Sequence, residues 1–106
     1  MVLNRHGAMQ LLGLDADCYE ELLNVMRGEV GEWLIFFQQA DRCETEMLRA
    51  RAHRLKSDAA NIGAERVRHA ARVLEQAIRE KQQADEVEHF RRLLVQELRE
   101  LERAIV

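Results

Sequence analysis

Residues 48–63 read LRARAHRLKSDAANIG, and the order of apolar and polar residues in this run decides the fold. Leu48, Ala52, Leu55, Ala59 and Ile62 recur at steps of four and three, the spacing that lines one face of an α-helix. Gly63 follows the last of them, as a glycine commonly does where a helix closes on a left-handed residue. This helix is expected to start near Asp41-Arg42-Cys43. The same spacing repeats on both sides of it. Upstream, Asp15 or Asp17 can cap a helix carrying Tyr19, Leu22, Met26, Val30, Trp33 and Phe37 and running to about residue 40. Downstream, Val67, Ala70 or Ala71, Leu74 and Ile78 mark a helix over about 65–81. A last one, from about 85, presents Val87, Phe90, Leu94, Leu98, Leu101 and Ile105.

The connections around 40–43, 63–64 and 82–85 are short, so sequential helices must lie antiparallel. The expected fold is all-α: an up-down-up-down four-helix bundle over about 15–105, in one domain spanning 1–106. The segment from Asn4 to Leu14 should pack on one end, with Val2, Leu3, Met9, Leu11 and Leu12 available to cover it. Gly28 and Gly31 fall inside the first long helix, where they predict a bend or a close packing contact. A chain of 106 residues has room for one core, and the absence of proline disfavours a turn-rich β fold.

The longest apolar run, Trp33 to Phe37, is far short of the ~20 residues of a membrane span, and the N-terminus has no apolar signal region. A soluble, cytoplasmic protein without membrane contact is expected. Cys18 and Cys43 lack paired-motif spacing and read as reduced thiols filling helix positions. With His6, His53, His69 and His89 they form no zinc pattern, so no metal site is expected. Gly-rich phosphate loops, nucleophile elbows and acidic metal clusters are also missing.

The net charge of -3 is unevenly distributed. Residues 49–72 hold seven Lys/Arg against two Asp/Glu: Arg49, Arg51, Arg54, Lys56, Arg66, Arg68 and Arg72. Such a stretch invites an acidic partner or a phosphate. His53 lies inside it, one step past core position Ala52, on a stripe with Arg49, Lys56, Ala60 and Gly63 and with Ser57 one turn on. The imidazole should be exposed, Lys56 solvent-facing, and the surface beyond the ring low. A neutral imidazole, with an unperturbed pKa near ~6.5, can accept a phosphoryl group covalently while a lysine offsets its charge. Acceptance should fall below about pH 6, where the ring loses its lone pair. His6, His69 and His89 read as ordinary solvated residues.

The run Ala52-His53-Arg54-Leu55-Lys56-Ser57-Asp58-Ala59-Ala60-Asn61-Ile62-Gly63-Ala64 resembles the signature of histidine-containing phosphotransfer (HPt) domains. Leu74-Glu75 and Tyr19-Glu20-Glu21-Leu22-Leu23 resemble two further stretches of that family, so the likeness covers about 12–105. It implies that His53 is phosphorylated, that Lys56 stabilises the phosphoryl group, and that Arg49, Ser57, Ala60 and Gly63 form the docking surface. Ser57 departs from the commoner glycine there but remains small. Asp58 departs too, and points away from the ring. Glu75 stands either within reach of His53 and Lys56 or in a structural ion pair.

The resemblance further implies a monomer with no ATP site, no intrinsic cofactor and no kinase activity. Such a carrier takes a phosphoryl group from a receiver-domain aspartyl phosphate of a hybrid sensor kinase and passes it to the receiver of a response regulator, the Mg²⁺ residing on the receiver. A non-catalytic helical interaction module is the alternative, weakened by His53 and Lys56 both being present. A nucleic-acid binder is disfavoured by the acidic total and the scatter of arginines over two helices.

Overall fold

A computed structural model describes residues 2–40 and 45–105 of the chain. They form five α-helices: α1 (Arg5–Leu12), α2 (Ala16–Gln38), α3 (Thr45–Ile62), α4 (Glu65–Arg79) and α5 (Ala84–Ile105). There is no strand among the described residues, as the helical periodicity required. The expected start of α3 at Asp41-Arg42-Cys43, and with it the thiol of Cys43, lies outside them.

The ends of these helices follow from local chemistry. Asp15 rather than Asp17 caps α2: its carboxylate accepts the Cys18 N–H at 2.8 Å, and these bonds hold its pKa below the ordinary value. The segment expected only to cover one end contains a helix of its own, α1. Asn4 caps it by accepting from the Gly7 N–H at 3.0 Å, and Gly13, with φ +68°, closes it. At the end of α3, Gly63 donates to the Ala60 carbonyl and Ala64 to that of Ala59, so one left-handed glycine ends α3 and α4 begins two residues later.

Helices α2 to α5 bury the stripes their spacing prescribed, with shifts of at most about one position. On α2 the fully buried residues are Tyr19, Leu23, Met26, Val30, Leu34 and Phe37; the expected Leu22 and Trp33 are only half-buried. Both sets satisfy the three-and-four spacing, and the position of α5 against α2 selects between them. α4 buries Ala71 rather than Ala70, and α5 adds Val95 to the expected leucines while Val87 and Phe90 stay half-buried.

Two expectations are corrected. A Cβ at Gly28 or Gly31 would have no neighbour within 4 Å, so neither glycine makes a close packing contact. Of the residues expected to cover one end, Val2, Leu3 and Met9 do so together with Ala8, while Leu11 and Leu12 are exposed.

Long-range hydrogen bonds tie the elements together. The buried Tyr19 hydroxyl donates to the Ile62 carbonyl at 2.7 Å, joining the start of α2 to the end of α3. Arg91 donates to the Phe37 carbonyl at 2.6 Å, and Arg27 to that of Ile105 at 2.7 Å. The end of α2 therefore meets the first half of α5, and the middle of α2 meets the end of α5. Arg66 of α4 pairs with Glu97 of α5 at 2.7 Å. α3 and α4, joined by the short turn at Gly63, pack against each other and form a two-helix face.

Candidate functional site

His53 lies on that face, with its side chain 53% exposed. Facing it from α4 is Glu75, a buried carboxylate with only 5% of its side chain exposed. His53 Nδ1 is 2.6 Å from Glu75 Oε2, and Lys56 Nζ is 3.0 Å from Oε1, so each oxygen receives one donor from α3. Arg79, one turn beyond Glu75 on α4, reaches Oε2 at 3.3 Å, and Arg49 stands 3.9 Å from the same oxygen. Four nitrogen groups thus surround one buried carboxylate.

Burial alone pushes the Glu75 carboxyl up, but the hydrogen bonds and charges of Lys56 and His53 outweigh it and hold its pKa below the ordinary value. Glu75 is therefore ionised at neutral pH. An ionised carboxylate only accepts hydrogen bonds, so Nδ1 carries the ring proton and donates it to Oε2. In a neutral imidazole this leaves the lone pair on Nε2, on the other edge of the ring from the buried carboxylate. The result is an imidazole of fixed tautomer on an exposed helix face.

The residues singled out in the sequence separate into distinct places. His53, Lys56 and Glu75 come together, so Glu75 is in reach of His53 and Lys56 and makes an ion pair at the same time. Lys56 is not solvent-facing as its stripe implied: its side chain is 29% exposed because the ammonium turns inward onto Glu75. Arg49 is bound chiefly by Glu46 one turn before it on α3. Ser57 is exposed and Ala60 half-buried beside the ring's stripe.

Gly63 must be corrected. It is buried, not part of a docking surface, because the start of α1 crosses directly over it. Its carbonyl accepts the Asn4 N–H at 2.8 Å, and a Cβ there would meet the Asn4 carbonyl oxygen at 2.4 Å.

The basic stretch is not one patch either. Arg66 is paired with Glu97 and Arg68 with Glu65, while Arg51 and Arg54 line a cleft of about 200 Å³ beside α2, with Arg51 over the Phe36 ring. Arg49 and Lys56 of that stretch reach the Glu75 carboxylate that His53 also contacts. Asp58 lines the same cleft beside α2. Sequence reasoning missed Arg79, although its spacing of four from Glu75 is the signature of an intrahelical ion pair.

Residues 10–104 match the sequence profile of the Hpt domain family, which covers nearly the whole chain. The chain belongs to the Hpt domain family. Hpt domains take part in phosphorelays as histidine phosphocarriers rather than kinases, and they interact with receiver domains. No curated protein and no solved structure matches the chain.

In this Hpt domain His6, His69 and His89 are also exposed, but among the described residues it is His53 that is bonded to a buried carboxylate. Among the described residues of the Hpt domain there is no cluster of metal-binding side chains, and no helix is long and apolar enough to cross a membrane.

Proposed function

We propose that His53 is the phosphoryl-carrying residue of this Hpt domain and that Nε2 is the atom phosphorylated. The observation that carries the reading is the 2.6 Å contact between His53 Nδ1 and the buried Glu75 carboxylate in a ring that is otherwise half exposed. The Nε2 lone pair attacks the phosphorus of a receiver aspartyl phosphate, the P–O bond breaks, and the receiver recovers its carboxylate. A second receiver reverses these events on its own aspartate. The donor and acceptor in this reading are receivers of a hybrid sensor kinase and of a response regulator. They supply the Mg²⁺, and the Hpt domain needs no cofactor of its own.

Lys56 supplies charge neutralisation, since a small rotation moves its ammonium from Glu75 onto the phosphoryl oxygens. Arg49, Ser57 and Ala60 form the docking surface around the ring. The domain acts as a cytoplasmic monomer, and its helices α2–α5 run up-down-up-down, with α1 across one end. That topology is supported by the head-to-tail ties of Tyr19 to Ile62, Arg27 to Ile105 and Arg91 to Phe37.

Incubation with a phosphorylated receiver tests the reading. Acid-labile label should pass to the wild type and not to His53→Gln. No transfer to the wild type, or undiminished transfer to the variant, would sink it.

A further inference from the structure

In an imidazole phosphorylated at Nε2, Nδ1 ordinarily becomes the free lone pair, and the ring is neutral once it gives up its proton. The surroundings of His53 oppose that loss. Nδ1 is 2.6 Å from Oε2 of a buried, ionised carboxylate whose Oε1 bonds Lys56 in the unphosphorylated protein and whose Oε2 lies 3.3 Å from Arg79. Deprotonating Nδ1 would set a nitrogen lone pair against a carboxylate oxygen at hydrogen-bond distance. That arrangement is repulsive, and the buried carboxylate cannot turn to water.

We propose that phosphorylated His53 keeps its Nδ1 proton, so that the carried group is a phosphoimidazolium held against Glu75, and that Glu75 is the positioning residue that keeps it so. The inference rests on the reading of His53 as the carrier.

The charges around the ring agree with this. From α3 come Arg49, Lys56 and Glu46, the last paired with Arg49; from α4 come Glu75 and Arg79. With a dianionic phosphoryl group on Nε2, the three permanent cations and a protonated ring make four positive charges. Glu46, Glu75 and the phosphoryl group make four negative ones. A deprotonated ring would leave the cluster one charge negative.

The chemistry then balances without any proton transfer. Nε2 donates its electron pair to phosphorus as the donor P–O bond breaks, the positive charge that develops spreads over the ring, and the Nδ1–H stays where it was. On the outward step the N–P bond breaks, its electron pair returns to Nε2, and the neutral Nδ1–H tautomer reappears. The group that leaves is then neutral imidazole rather than the far more basic imidazolate a deprotonated ring would release, so the bond is arranged for onward transfer rather than storage.

The test uses the intact protein and phosphoramidate, a small donor whose P–N bond breaks with release of ammonia as N–P forms on histidine. Nitrogen-15 NMR of histidine-labelled protein then reads Nδ1 directly. At about pH 7.5 the phosphorylated wild type should show a proton bonded to Nδ1 of His53. In Glu75→Gln the midpoint for losing that proton should drop by about one pH unit or more, since a neutral amide replaces the carboxylate.

A bare Nδ1 in the phosphorylated wild type at that pH would overturn the proposal even if the variant failed to fold. An unchanged midpoint in Glu75→Gln would also overturn it. Either result leaves His53 as the carrier. Failure to label the wild type, or labelling that persists in His53→Gln, removes the carrier reading and this inference together.

Discussion

At the scale of single residues, the site is one buried carboxylate and the groups that compete for it. Glu75 divides its two oxygens between Lys56 and His53, and Arg79 and Arg49 approach from the flank. The lysine is thus held ready beside the ring rather than extended into water. Lys56→Ala should slow acceptance from a phosphorylated receiver by on the order of tenfold, the usual worth of one charge-assisted contact, with helical content unchanged by circular dichroism. Equal rates for variant and wild type would show that the ammonium serves only Glu75. His53 and Lys56 were legible because they share a helix stripe three residues apart. The Glu75 contact was not decided by the sequence, since it joins positions 22 residues apart whose meeting depends on how α4 rolls against α3.

Among the elements, the junction of α3 and α4 decides most. One left-handed glycine reverses the chain, and the same residue lies under the first turn of α1, which leaves no room for a side chain. Gly63→Ala should therefore cost more than the ordinary strain of a positive φ, about 2–4 kcal/mol by denaturant unfolding, because the Asn4 backbone must also move. A loss under about 0.5 kcal/mol would show that α1 lifts away freely. The end of α3 at Gly63 was readable from its seam. The crossing of α1 was not: Asn4 to Leu14 carries only a short and irregular apolar pattern, and its cap at Asn4 becomes evident only once the Asn4 N–H is seen bonded to the Gly63 carbonyl.

For the whole molecule, stability is linked to pH through carboxylates that bind protons less tightly when folded. Burial raises the Glu75 pKa, but its partners hold it below the ordinary glutamate value of 4.5; the hydrogen bond from Arg91, with Arg92 nearby, lowers that of Glu88. The unfolded chain takes up these protons first as pH falls. The stabilisation is therefore complete above about pH 5 and is lost progressively below 4.5. Denaturant midpoints should be flat from about pH 7 to 5.5 and then fall, with a shallower fall in Glu75→Gln. An equally steep acid limb in that variant would assign the loss to the other carboxylates.

Periodicity alone determined the four longer helices of this chain, the seam of α3 and the placing of His53 and Lys56 on one stripe, because backbone geometry fixes the angle between residues three and four apart. It could not choose between Leu22 and Leu23 or between Trp33 and Leu34, since neighbouring residues fit the same spacing and only contact with α5 selects one. Nor could it show that Gly63 is buried or which nitrogen of His53 is free. Those depend on α1 crossing α3 and on a carboxylate from α4 entering a space that α3 leaves open. Burial then turned that contact into chemistry, because an ionised Glu75 sheltered from water must be given protons to accept, and the one at Nδ1 leaves Nε2 facing outward.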